Sequence, residues 1–428
     1  MIKTSLQRLL LGLGMIFLFG CGDHPAGSRV SGSAKVRIPW KNAQGGVSLQ
    51  VVELKGIHDL QEMKGDFARF AYAPRLKDGG IDGVAPKGQF ARTTSGIYVP
   101  LDSTSQQMAT IYAHMQALRD LDRQAGVGDL LKWPRSIGIA TRIRGNDGRL
   151  WTDNAFYDGA TDSILMVSNR KGRWPLSLNP GVIAHEHFHA LFYAQVLGPL
   201  LNEKVLNHTI SGSAHAEEEV LNHFRIAQSG EGLVGTEKSS REPRGRDLEL
   251  DQKAYRSALV KMINEGLADV WGWIYSGQPD FIEKSFPNFK GIRSLKSERE
   301  VAGLVSAEKV DDLILLCQRS KSPNACANDV SYLAGSSLSR AVRSIFIGSL
   351  DELSASGKQA RERLAQRLMK SLPGIADELR RSSIENRATL QSILQVVLDA
   401  EPLSTEEKEV SQSLLSMGED SDRAGVQP

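Results

Sequence analysis

Five residues constrain this chain more than any others: His185-Glu186-His187-Phe188-His189. Just upstream, Asn179-Pro180-Gly181 supplies a helix N-cap and a first-turn proline, and apolar Val182, Ile183, Ala184, Phe188, Leu191 and Phe192 follow, so a helix is expected to start there. On that helix His185 and His189 are four residues apart and share a face, which lets both imidazoles bind one zinc ion. Glu186 lies one residue round, within reach of a zinc-bound water. The bland alternative is a helix with surface His and Glu. His187 is an extra imidazole and is expected at an exposed or rim position.

A second stretch, Asn264-Glu265-Gly266-Leu267-Ala268-Asp269, falls within an amphipathic pattern over 254–275 carried by Tyr255, Leu259, Met262, Ile263, Val270 and Trp273. Glu265 and Asp269 are i and i+4 and share a face. Glu265 can then ligate the metal while Asp269 accepts the other ring N–H of a liganding histidine. The chain after His189 lacks the Gly and His that a metzincin places there. Together H-E-x-x-H and N-E-x-x-A-D resemble the motifs of the thermolysin-like gluzincin metallopeptidases.

The resemblance implies an α+β zincin fold with a mixed-sheet N-terminal half, a mostly helical C-terminal half and the active-site helix between them. It implies one catalytic Zn2+ on His185, His189 and Glu265, with Glu186 as general base and Asn264 and Asp269 behind the ligands. Asn154-Ala-Phe-Tyr-Asp-Gly159, followed by the strand at 163–167, is similar to the family's edge-strand segment. That likeness assigns Asn154 and Ala155 to the backbone of an extended peptide, by strand addition. Ser331-Tyr-Leu-Ala-Gly335 resembles the segment whose histidine stabilises the oxyanion, but Ser331 stands at the histidine position. Tyr332 is the candidate donor instead, with a core aromatic as its other reading. The resemblance runs from about 104 to 275. Within it 75 residues separate His189 from Glu265, so 196–253 is expected to be an insertion, with His208, His215, Glu217-Glu-Glu219 and His223 on it.

The chain's beginning bears on compartment. Lys3 and Arg8 precede the apolar run Leu9–Phe19, which is shorter than a membrane-spanning helix needs and suits a signal peptide. The run ends Leu18-Phe-Gly-Cys21, which resembles the lipobox of bacterial lipoproteins, so Cys21 is the expected lipidation site and the cell envelope, facing periplasm or exterior, the expected location. With Cys21 so used, Cys317 and Cys326 bracket a polar loop with Pro323-Asn324 turn chemistry and are expected to form a disulfide.

Lys and Arg total 52 against 50 for Asp and Glu, and removal of Lys3 and Arg8 leaves the two equal, which argues against a nucleic-acid partner.

The expected organisation is a signal peptide (1–20), a Gly/Ser-rich tether (21–35), a β-rich segment of short strands (36–103), an upper zincin subdomain (104–195), the insertion (196–253), a helical subdomain (254–415) and a tail (416–428). Strands are expected at 47–54, 96–99, 136–143 and 163–167, and helices at 104–125, 254–275, 328–348, 358–371 and 384–399. The functional expectation is a membrane-anchored zinc endopeptidase acting on a peptide or protein substrate. The alternative is a binding or structural lipoprotein that keeps the zinc fold and cleaves nothing.

Overall fold

The computed structural model describes residues 29–42, 46–77, 80–142, 152, 154–168, 176–203, 205–206, 245–286, 293–296, 310–314, 323–347, 353–383 and 385–424. The signal peptide, Cys21, Cys317 and most of the insertion (207–244) lie outside them. So do the insertion's histidines and its Glu217–Glu219 run. None of the described helices is long and apolar enough to cross a membrane.

The N-terminal half is built of two five-stranded sheets. In the first, β1 (Arg29–Lys41) and β2 (Val47–Asp59), thirteen residues each, form a hairpin, flanked by β3 (Lys64–Gly65) on one side and β7 (Tyr98–Pro100) and β6 (Phe90–Arg92) on the other. Here the expectation of short strands and of a tether reaching residue 35 is corrected. In β1, Ala34, Val36 and Ile38 point inward while Lys35 and Arg37 point out, so the period-2 pattern starts inside the Gly/Ser-rich stretch.

The second sheet has the order β5 (Gly80–Val84), β4 (Ala68–Lys77), β8 (Arg135–Thr141), β10 (Ser163–Val167), β9 (Ala155–Asp158). β4, β8 and β10 run parallel, and β9 returns antiparallel as the outermost strand. Buried Arg135 forks onto Asp162 in the β9–β10 turn at 2.6 and 3.2 Å, and Tyr157 donates to the same carboxylate at 3.0 Å. This brace fixes the edge strand against the interior of its sheet.

Helix α1 (Ser103–Gln124), capped by the Asp102 carboxylate on Ser105 N–H at 2.7 Å, packs against both sheets. Then come α2 (Pro180–Phe192), a wider turn of π-helix (Tyr193–Leu197) and α3 (Gly198–Asn202), so the start of the expected insertion is helical. Its end is helical too: α4 runs Gly245–Ser276, nine residues longer at the front than the periodicity indicated.

The C-terminal half adds α5 (Phe281–Ser285), α6 (Pro323–Ile347), α7 (Ala355–Arg381), α8 (Leu390–Asp399) and α9 (Thr405–Ala424). Pro323-Asn324 opens α6 rather than turning a loop, because proline costs nothing at a first helical position. α7 continues through Pro373, held by buried Leu372, Ile375, Ala376 and Leu379. α8 begins six residues later than expected, where Thr389 and Ser392 close a capping box. α9 carries the backbone helix to Ala424, through most of the expected tail. The fold is mixed α+β, with mixed sheets first and helices after.

Candidate metal centre

Helix α2 starts where its cap dictates. Asn179 accepts from the N–H groups of Gly181 (3.0 Å) and Val182 (3.3 Å), while its amide donates to Phe281 O (2.7 Å) and Ser285 Oγ (2.8 Å), tying the helix start to α5. All thirteen residues of α2 are buried. Such a helix has no polar face toward water, so its three histidines and its glutamate all need partners inside the protein.

α4 supplies those partners on one side. His185 and His189 bring their Nε2 atoms to 3.1 Å of each other, and the Glu265 carboxylate stands 3.4 Å from the first and 3.9 Å from the second. Behind them, His189 Nδ1 meets Asn264 Oδ1 at 2.9 Å. Asp269 Oδ1 lies 3.0 Å from His185 Nδ1, an ion-pair contact off the ring N–H axis. With each Nδ1 turned toward an oxygen acceptor, both Nε2 atoms present lone pairs to the same point. At 3.1 Å the two nitrogens require a shared proton or a metal cation between them. His185, His189 and Glu265 are the one group of this kind among the described residues, and it could hold a metal ion.

The electrostatics agree. Glu186, Glu265 and Asp269 are buried around the group, and Arg293 is the one cation among the described residues lining the cleft. With neutral imidazoles these four side chains carry two negative charges in excess, which a divalent ion would cancel. The same demand acts on protons: burial alone would lower the His185 pKa, but the Asp269 and Glu265 carboxylates outweigh it and raise it to about 9. Burial alone would raise the Glu265 pKa, yet the two imidazoles and Arg293 hold its carboxyl well below the usual range.

The sequence reading missed Arg293. It is 5% exposed and donates to both oxygens of Asp269, at 3.1 Å from Nε and 2.7 Å from an Nη, with a weaker contact to Glu265 at 3.4 Å. Its guanidinium lies 4.3 Å from the centre of the Tyr332 ring. Burial opposes its charge, but Asp269 and Glu265 hold the proton on it. A lone Arg in a polar stretch carries no motif; only the fold brings it to the site.

The cleft over the group spans about 430 Å³, part of it open to solvent, and is lined by the two histidines, Glu186, Glu265, Arg293, Asn154, Ala155, Tyr332 and an apolar wall of Val182, Ile282 and Phe286. Asn154, Ala155 and Tyr332 therefore border the cleft, Tyr332 half-buried at its rim. The Asn154 carbonyl accepts from Val167 N–H and its side-chain oxygen from Ala155 N–H, both at 2.9 Å, so the pair is itself pinned to β10. Ser331 is buried one position before Tyr332 on α6.

His187 departs from its expected exposed or rim position. It is fully buried, with Nε2 at 2.9 and 3.1 Å from the Asp122 carboxylate oxygens.

Close helix approach sets the site's shape. A Cβ on Gly266 would stand 2.4 Å from Gly335 O, and one on Gly335 2.7 Å from Met262 O. These two glycines let α4 and α6 touch backbone to backbone, which brings Tyr332 to the cleft.

No known protein family, no curated protein and no solved structure matches the chain. What the fold and the site define is a mixed α+β protein with a buried His-His-Glu group fit for a metal ion. Its function has to be argued from that group.

Proposed function

We propose that the protein is a zinc metallopeptidase of the gluzincin kind, held at a membrane in the bacterial cell envelope by a lipid on Cys21. The carrying observation is the convergence of His185 and His189 Nε2, 3.1 Å apart, with the Glu265 carboxylate beside them and both Nδ1 atoms engaged behind. Two imidazoles and one carboxylate are the donor set of catalytic zinc sites that keep one position open. A bound zinc ion supplies Lewis-acid polarisation of a carbonyl and acidifies a water.

The chain's own residues supply the rest. Glu186 lines the cleft one residue from His185 and is placed to take the proton from the attacking water and deliver it to the leaving amine. Strand β9 stands at the outer edge of its sheet and borders the cleft through Ala155, which suits an extended peptide added as a further strand. Tyr332 borders the cleft from the other side and carries the one phenol there, the donor assigned to the developing oxyanion. Val182, Ile282 and Phe286 favour an apolar side chain beside the scissile bond.

The test is peptide cleavage by the purified mature protein, sensitive to chelator and restored by zinc. Glu186→Gln is expected to keep about one zinc per chain and to lose cleavage, since it removes the base and no ligand. Full activity in that variant would refute the mechanism. The competing reading, a binding protein that cleaves nothing, draws on Ser331 at the position where the family has its histidine. It predicts zinc uptake without turnover in the wild type.

A further inference from the structure

The side of α2 away from the candidate metal carries a second buried polar pair, which the proposed chemistry does not use. His187 is two residues from both His185 and His189, so its ring leaves the helix about 200° round from each. There its Nε2 sits 2.9 and 3.1 Å from the two oxygens of Asp122 on α1. Neither residue is more than 1% exposed, and the Trp133 ring closes the same side with its centroid 5.9 Å away.

Burying two ionisable groups is an indirect route to stability, because apolar side chains of similar size do as well or better. What an apolar pair lacks is direction. A two-oxygen grip on one ring nitrogen resists rotation of the helix about its own axis, whereas a greasy contact slides. The site needs that resistance. Turning α2 by about 10° moves a side-chain tip, at a radius of roughly 5–6 Å, by roughly 1 Å. Metal ligands tolerate about 0.2 Å. On the metal side, α4 meets α2 through Asn264 on His189 at 2.9 Å and Asp269 on His185 at 3.0 Å, both on one face, which leaves the opposite face to be held separately.

We propose that His187 is a positioning residue: its bond to Asp122 fixes the rotation of α2 and so the convergence of His185 and His189. The proposal rests on the metal-binding reading of the site. α2 is then gripped from both faces, by α4 on the metal side and by α1 on the other.

The experiment titrates chelator-stripped, full-length protein with Zn2+ against a competing chelator, and records the visible absorption of the Co2+ form as a signature of ligand geometry. His187→Leu is expected to weaken Zn2+ binding on the order of 10-fold and to change the Co2+ bands. His187→Gln, whose amide N–H can still reach the Asp122 carboxylate, returns both toward wild type. The Asp122→Leu, His187→Leu double variant leaves no charge stranded and so keeps its fold, yet it shows the same weakened binding and altered spectrum. A folded double variant with wild-type affinity and spectrum would overturn the proposal, because it would reduce the pair to a stability element. A wild-type protein that takes up neither ion overturns instead the metal reading beneath it.

Discussion

Asp269→Ala tests the site at its most connected carboxylate. Asp269 receives two hydrogen bonds from Arg293, at 2.7 and 3.1 Å, and faces His185 Nδ1 at 3.0 Å. Its loss leaves the guanidinium, 5% exposed, in a weaker 3.4 Å contact with Glu265. Breaking a buried ion pair by removing one partner costs about 3–5 kcal/mol. Loss of the group that orients a liganding histidine costs roughly 10–100-fold in metal affinity, or about 1.4–2.8 kcal/mol. The two effects separate in a double variant. Asp269→Ala with Arg293→Met removes the stranded charge and should recover most of the stability but none of the zinc affinity. Denaturant unfolding of the stripped protein reads the first effect and zinc titration the second. Wild-type zinc affinity in Asp269→Ala refutes the orienting role. A stability loss under about 1 kcal/mol refutes the buried pair.

Two further outcomes follow from the structure and a third from the sequence. Gly266→Ala places a methyl 2.4 Å from Gly335 O, where only backbone can yield; it should cost about 1–3 kcal/mol by forcing α4 from α6, measured by thermal unfolding. Lys41, at the C-terminal end of α4, has its pKa lowered from 10.5 to about 8, first by burial and then by repulsion from Arg361 and Lys358. The unfolded chain therefore binds the extra proton between pH 8 and 10.5, and stability should rise with pH across that window by roughly 3 kcal/mol; Lys41→Met should flatten that rise in denaturant titrations at stepped pH. Cys21→Ser should move the protein from the detergent phase to the aqueous phase or leave it unprocessed, because the acyl chains supply most of the membrane affinity; unchanged partitioning refutes lipidation there.

What could be read from the sequence was whatever repeats at short range. The i, i+4 spacing of His185 and His189 and of Glu265 and Asp269, the Asn179-Pro180 start of α2 and the short apolar run of β10 are all local, and the structure places each of them on the helix or strand expected. What could not be read depends on contacts between distant segments. Arg293 lies 24 residues beyond Asp269, and only folding pairs them. His187 looked surplus because its partner, Asp122, is 65 residues upstream on another helix. β1 was hidden by the Gly and Ser before it, and its strand character shows in the buried alternation against β2. The helix expected at 358–371 runs on through Pro373, because the apolar stripe beyond it keeps α7 intact.

The architecture makes α4 the element on which the site depends. Its Asn264 and Glu265 meet the α2 histidines, its Gly266 admits α6 and hence Tyr332, and its Asp269 captures Arg293. Its C-terminal carbonyls are capped from both halves of the molecule: Lys41 of β1 donates to Tyr275 O at 2.7 Å, and Arg361 of α7 to Ile274 O at 3.3 Å. Cations at a helix C-terminus are favoured by its dipole as well as by hydrogen bonding. A helix anchored at one end by a strand and a helix, and along its length by α2 and α6, has little freedom to slide. That rigidity lets two excess negative charges stay buried around the His-His-Glu group, since carboxylates free to move would turn toward solvent. The electrostatic demand for a cation is thus created by packing far from the cleft. Weakening the cap at Lys41 should accordingly lower zinc affinity, which the same Lys41→Met protein can report in a zinc titration.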